Sequence, residues 1–399
     1  MFQYFPGNYV WNLAINLAME MGAKIGELDE MCRPLMEVSQ QGDDEGTRLF
    51  LQSWERMGDN LIALAHEDEA QGRLISAGTK LGRAATYLLT AERMQARDAP
   101  GRAALYAKFQ DCFQRGVQLA HENCERVEIP YEGAHLAGLY TRAEGVTGKA
   151  PLLIQINGLD STKEMLYRVG LPQHLARRGI ASLCLDQPGT GEALRLHGLT
   201  ARYDAEAWAS RVVDAMETRA DIDPQRIGLQ GVSLGGYYAP RAVAFEPRFA
   251  LGAVWGANHN WGEVQLARLN REGERPVPHY WEHVQWVWGT SSMDAFLERM
   301  KYVTLDGVLD RVRVPFLVTH GEQDRQIPLK YAHQTYDGLV NSPDKTLKIF
   351  TDREGGVQHS SVDNSAYALD YIADWVAERL GGRTRWPDAH PEDTGIPSA

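Results

Sequence analysis

Eight short β-like runs, RVEIPY, HLAGLYT, PLLIQIN, ASLCLD, RIGLQG, LGAVWG, PFLVTH and LKIFTD, follow one another between residues 126 and 352. Helical stretches separate most of the later ones. Parallel neighbours need a long crossover that returns over one face of the sheet, so this alternation predicts a mostly parallel sheet covered on both faces. Only EGA separates the first two runs, which predicts an antiparallel hairpin at one edge. Upstream the texture differs: from about Asn8 to Glu122 apolar residues recur every three or four positions, as in RLFLQSWERMGDNLIALAHEDEAQGRLISAGTKLGRAATYLLTAERM, with a single break at Asp98, Pro100 and Gly101. The expected organisation is a helical domain over 1–122 and an α/β domain over 123–380. An inserted lid at about 257–313 and a flexible tail over 381–399 complete it.

Composition removes several classes of function. Hydrophobic residues make up 44% of the 399 and charged residues 24%, the balance of a chain that buries a core. A formal net charge of −12, with no block of Lys and Arg, repels phosphate backbones and anionic lipid, so neither nucleic acid nor membrane is an expected partner. No run reaches the roughly 18 to 20 apolar residues that cross a bilayer. Cys32, Cys112, Cys124 and Cys184 are scattered without a C-x-x-C pair, which suggests neither a disulfide framework nor a zinc site and fits a cytoplasmic protein. The apolar opening MFQYFPGNYVWNLAINLAMEMG has no basic leader and is interrupted by Asn12 and Asn16, so it reads as part of the mature protein. LDQPGTGEA makes a tight turn with Asp186, Gly189 and Gly191, but neither it nor GVTGKA has the spacing of a phosphate loop. No cofactor and no metal is expected.

Gly231-Val232-Ser233-Leu234-Gly235 matches G-x-S-x-G between a β-run, RIGLQ, and a helical run, GYYAPRAVAF. A serine on a strand-to-helix turn is exposed and strained, and side chains two residues either side of it would strike neighbouring backbone, hence the glycines. The ordinary alternative is a βα loop whose serine caps the next helix. What separates the two is whether a base and an orienting acid follow in the order Ser, Asp, His. They do: Asp324 follows the run PFLVTH, and His359 lies on the loop REGGVQHSS after LKIFTD. Singly, Asp324 is an unremarkable turn aspartate and His359 a loop histidine; each stands one strand and loop after the last, and the joint placement favours a triad of Ser233, Asp324 and His359. His320, in the HGEQD turn, reads as structural.

Two backbone N–H groups would then form an oxyanion hole, from Leu234 after the nucleophile and from Leu159, where Gly158 lets the chain turn. Ser161 and Glu164 have the spacing of a capping box, which predicts a helix opening between Asp160 and Glu164.

Together NGLDSTKE, DQPGTGEA, DPQRIGLQGVSLGGYYAPR, HGEQDRQIP and GGVQHSS resemble the α/β-hydrolases over roughly residues 125 to 380, which implies a mostly parallel eight-stranded sheet. With the helical block that begins YFPGNYVWNLAINLAMEMG, the whole chain resembles the group containing 2,6-dihydroxypseudooxynicotine hydrolase and the fungal yellowish-green polyketide-shortening hydrolases. That resemblance implies a serine hydrolase that cleaves a carbon–carbon bond beside a ketone in a small aromatic or polyketide-type substrate, with the helical domain helping to cover the site. It also implies an additional carboxylate downstream of the nucleophile, for which Glu263 is the nearest candidate; His259 and Asp160 are further possible helpers. For each the plain alternative is a polar residue lining a cleft or bonding a loop. Trp255, Trp261, Trp281, Trp286 and Trp288 would suit an aromatic substrate or simple packing. A carboxylesterase or thioesterase would use the same triad, and a ligand receptor on a hydrolase scaffold is a third reading. The apolar helical block suits either a homodimer or burial on the α/β domain.

Overall fold

In the computed structural model, which describes residues 1–386, the first 120 residues form five helices. They are α1 (Tyr9–Glu20), α2 (Ile25–Cys32), α3 (Thr47–Ala70), α4 (Leu74–Arg93) and α5 (Arg102–Ala120). The block is interrupted more often than its periodicity suggested. The continuous pattern of α3 and α4 is cut at Gln71-Gly72-Arg73, where Gly72 takes a positive φ of 73°. The asparagines that interrupt the apolar opening turn out to hold it in place. Asn8 caps α1 by accepting from Trp11 N at 3.0 Å, and Asn12 Oδ1 accepts from Tyr4 N and Phe5 N, both at 2.8 Å. Asn16 closes the same ladder by exchanging hydrogen bonds with the backbone of Phe2.

The rest alternates as expected. β1 (Glu125–Tyr131), β2 (Ala134–Thr141) and β3 (Ala150–Ile156) are followed by α6 (Lys163–Val169), α7 (Leu171–Arg177), β4 (Ala181–Leu185), α8 (Gly191–Arg195), α9 (Glu206–Met216), β5 (Ile222–Val232), α10 (Gly235–Phe245) and β6 (Phe249–Trp255). The insertion carries α11 (Trp261–Leu269), α12 (Tyr280–Trp288) and α13 (Met293–Met300). β7 (Phe316–Gly321), α14 (Lys330–Gly338), β8 (Lys345–Phe350) and α15 (Ala366–Leu380) complete the chain. One sheet of eight strands runs in the order β1-β2-β4-β3-β5-β6-β7-β8. β1 and β2 form the edge hairpin and β2 meets β4 antiparallel, while every pair from β4 to β8 is parallel.

Alternation along the strands divides the core. Leu152, Ile154 and Ile156 of β3 face the layer built from α8 to α14, and Leu153 faces α7 and α15. On this second face the helical block is seated. Its core is continuous with Leu139, Met165, Leu166, Tyr167, Cys184 and Val362 of the α/β part. The four cysteines are unpaired. No helix among the described residues is long and apolar enough to cross a membrane. Of the expected flexible tail, residues 387–399 lie outside the described residues. Its start is tied down: Gly382 N donates to Ala377 O, and Arg383 Nε donates to Arg177 O at 2.8 Å.

Candidate active site

The chain leaves β3 toward β4 on one side and resumes with β5 on the other, so the carboxyl ends of β3 and β5 flank a switch in strand order, where open α/β sheets form their clefts. Ser233 follows β5 directly. Its φ is +58°, a left-handed conformation that a side-chain-bearing residue adopts at a cost of about 1 kcal/mol or more. Close approach explains the glycines. A Cβ on Gly231 would lie 2.1 Å from Gly235 O, and one on Gly158 would lie 2.9 Å from Ser233 Cβ.

His359 Nε2 stands 2.7 Å from Ser233 Oγ, and His359 Nδ1 stands 2.7 Å from Asp324 Oδ2. With Nδ1–H donating to the carboxylate, Nε2 is left as the acceptor for the serine hydroxyl. Asp324 Oδ1 accepts from Gln326 N and Ile327 N at 2.8 and 3.0 Å. Burial pushes this carboxyl up, but His359, His320 and the Ile327 amide together outweigh it and hold the group below the usual carboxylate range. His320 lies behind it, accepting from Ala257 N and facing Ile327 O, and its burial keeps it neutral by lowering its pKa. The His359 loop is fixed by Asp363, which accepts from Val357 N and Gln358 N, and by two further left-handed residues, Ser360 and Ser361. Ser360 Oγ donates to Trp255 O, and Ser361 Oγ accepts from Trp255 Nε1.

The loop after β3 is held just as tightly. Asn157 N donates to Gln187 Oε1 and Gly158 N donates to Ser161 Oγ, while among the described residues neither Leu159 N nor Leu234 N has an acceptor in the chain. The capping box does not form. Ser161 turns back to Gly158, Thr162 is the N-cap of α6 without a side-chain bond, and Asp186 Oδ1 takes up Lys163 N instead. Asp186 belongs to a fully buried cluster. Lys163 Nζ sits 3.0 Å from Asp186 and 2.5 Å from Glu192, and Arg126 clamps Glu192 from outside at 2.6 Å. The turn LDQPGTGEA therefore serves as the anchor of the β3 loop, through Asp186 and Gln187.

Ser233 and His359 open into a largely apolar cavity. Leu13 and Leu17 of α1 form part of its wall, with Met165 and Leu166 of α6, Trp255, and Pro276 from the insertion. Arg93, the last residue of α4, reaches into it as well. Its Nη2 pairs with the Asp160 carboxylate and its Nε donates to Asp160 O at 3.1 Å, so the helical block grips the loop that carries Leu159. Nothing in the local pattern YLLTAERMQ marks Arg93 for this contact; its partner is far away in sequence.

Other expectations are corrected. Asp160 does line the cavity, but Glu263 does not: its carboxylate accepts from Tyr331 Oη at 2.8 Å in a separate groove that Ser233 does not line. His259 is also elsewhere, facing Asp306 Oδ1 at 3.1 Å and Thr335. The chain directly beyond β6 enters α11, which packs on the α8-to-α14 face, and the insertion returns to the cavity only at Pro276, so closeness to β6 in sequence does not bring these residues to the site. For the same reason only Trp255 of the five tryptophans lines the cavity. Trp261 stacks on Trp288 at 5.6 Å within the core, and Trp286 lies against the guanidinium groups of Arg102 and Arg195.

A sequence model of the prolyl oligopeptidase family matches residues 172–383, more than half of the chain, and one described as esterase FrsA-like matches residues 57–257. The chain belongs to the prolyl oligopeptidase family. It is an α/β-hydrolase and a hydrolytic enzyme. The hydrolase LUC6 of a Fusarium species is 29% identical over 96% of this chain and 99% of its own length. 2,6-Dihydropseudooxynicotine hydrolase of Paenarthrobacter nicotinovorans is 28% identical over 82% of each chain. The 20-hydroxy-prefusarin hydrolase FUS2 of Gibberella moniliformis is 28% identical over 89% of this chain and 92% of its own. Among solved structures, 2,6-dihydroxy-pseudo-oxynicotine hydrolase superposes with a TM-score of 0.74 at 24% identity, over 92% of this chain and 95% of that one. The group expected from the motifs is thus the group in which the relatives fall.

Proposed function

We propose that this enzyme cleaves a carbon–carbon bond beside a ketone in an aromatic or polyketide-type small molecule, with Ser233 as nucleophile, His359 as base and then acid, and Asp324 as the group that orients and balances the imidazole. The observation that carries the reading is the unbroken line Asp324–His359–Ser233, with both contacts at 2.7 Å, opening into an apolar cavity roofed by the helical block. Ser233 Oγ attacks the ketone carbon while its proton passes to His359 Nε2. The oxygen that becomes negative is held by the Leu234 and Leu159 amides; donors of this kind are worth about 3 kcal/mol of barrier each. As the carbon–carbon bond breaks, its electron pair leaves with the departing carbon, which must be an enolisable or hydroxyaryl group to carry it, and that carbon takes the proton from His359. The remaining acyl–Ser233 ester is hydrolysed by water activated by the same histidine. No separate acid is assigned: Glu263 and His259 lie outside the cavity, and Asp160 is engaged with Arg93. The free cysteines are in keeping with a cytoplasmic enzyme.

Ester hydrolysis is the second reading, favoured by the match to an esterase-like family and by a triad that does not read the leaving atom. Product analysis with matched aryl 1,3-diketones and p-nitrophenyl esters separates the two. Diketone turnover giving one carboxylic acid and one ketone supports carbon–carbon cleavage. Turnover of esters with intact diketones defeats it.

A further inference from the structure

Most of the cavity is apolar, and its polar side chains are nearly all engaged within the chain: Arg93 with Asp160, Ser161 with Gly158, Gln326 with Tyr9, Ser360 with Trp255. Gln155 is the exception. It lies on β3, is 1% exposed, lines the cavity, and its amide nitrogen has no hydrogen-bond partner among the described residues. Beside it in register, on β5 and on the same face of the sheet, is Gln230, fully buried with both amide atoms unpartnered. Adjacent strand positions on this face are filled by Leu153, Cys184 and Ala253, so an apolar side chain would suit the site. Burying an amide without a partner is costly, and the cost is removed when a ligand supplies the missing bond. The terminal torsion of glutamine is soft, so the amide can offer either its donor or its acceptor.

Gln230 precedes Ser233 by three residues, which along a strand places the Gln155 level roughly 10 Å below the nucleophile. We infer that the part of the cavity lined by Gln155 is a polar subsite in which the Gln155 amide, backed by Gln230, binds a hydroxyl or carbonyl oxygen carried roughly 10 Å from the scissile carbonyl. The inference rests on the cavity being the substrate site of the proposed function. It narrows the substrate class to elongated ketones with an oxygen at the far end, since a wholly hydrocarbon tail would leave the amide buried and unpaired.

The test is calorimetric binding to Ser233→Ala of two series of phenyl ketones matched in chain length, one ending in a hydroxyl and one in a methyl group. At one chain length the hydroxyl ligand should bind at least tenfold more tightly, and the preference should vanish or reverse when Gln155→Leu or Gln155→Met is added. Both added variants should unfold at the same temperature as their parent or higher, because an unpaired buried amide has been removed. Equal or weaker binding of the hydroxyl series at every length overturns the inference, as does a preference that survives both substitutions. The readout needs no turnover, so the two ideas fail separately. A wild-type enzyme that cleaves only esters defeats the carbon–carbon reading and leaves the preference standing, whereas diketone cleavage without the preference defeats the subsite alone.

Discussion

The two sides of the cavity are built by different means. On the sheet side, strand ends and short loops whose positions follow from the fold carry Ser233 after β5 and His359 after β8 into the cavity, with Asp324 after β7 buried behind His359. The helical side is made of residues from the first hundred, Leu13, Leu17 and Arg93, which reach the site only because a separate block packs on α6 and β2. In the proposed mechanism the groups on one side make and break bonds; on the other they shape the space and hold a loop. The contrast teaches that chemistry and access are separable here, and substitutions should separate them.

The largest effect is expected on the sheet side. Ser233→Ala or His359→Ala should lower kcat/KM by on the order of 10⁴-fold or more, with circular dichroism unchanged. A loss of less than about tenfold for either would remove the residue from the mechanism. On the helical side, Arg93→Met combined with Asp160→Asn releases the β3 loop without leaving a buried charge behind. We expect kcat to fall by roughly 10- to 100-fold with KM little changed, because an oxyanion donor is displaced. A change confined to KM would make Arg93 a substrate-binding group instead. Leu17→Trp, which only narrows the space, should raise KM several-fold for bulky ketones and leave kcat within about twofold.

The junction between the sides also predicts a pH dependence of stability. Burial depresses His283 to about 3, amid the charges of Asp160, Arg102, Arg195 and Glu92. Glu92 is pushed up by burial, but Arg195 and Arg102 more than offset this and bring it to about 2. Unfolded, the histidine takes up its proton near 6.5 and the glutamate near 4.5, so in both cases the unfolded chain binds protons more readily. Their stabilisation is complete above those values and is lost as pH falls toward 3 and 2. Denaturant unfolding should show stability declining below about pH 6.5 by up to about 1.4 kcal/mol per pH unit for each group, more steeply below 4.5. His283→Phe should flatten the upper part of that decline; an unchanged slope between pH 6 and 5 would mean the histidine is not the cause.

The same contrast explains what could be read from the sequence. Short β-like runs separated by helical stretches specify a mostly parallel sheet, and in such a sheet functional groups gather at the carboxyl ends of strands. Ser233, Asp324 and His359 could therefore be named from the G-x-S-x-G motif and loop order, and His359 lies within bonding distance of both others. Arg93 could not, because a helix-terminal arginine looks the same whether it faces water or a loop 67 residues away. Nearness along the chain to β6 does not bring Glu263 and His259 into the cavity, because α11 packs on the α8-to-α14 face of the sheet. The spacing of Ser161 to Glu164 fits a cap, yet the buried Asp186 competes for the first helical amide and wins.

The most direct test of the central claim is mass spectrometry of the enzyme after exposure to a fluorophosphonate. One adduct per chain is expected, located on Ser233, absent in Ser233→Ala and strongly slowed in His359→Ala. An adduct that persists in Ser233→Ala, or a wild-type enzyme that stays unlabelled, would contradict it.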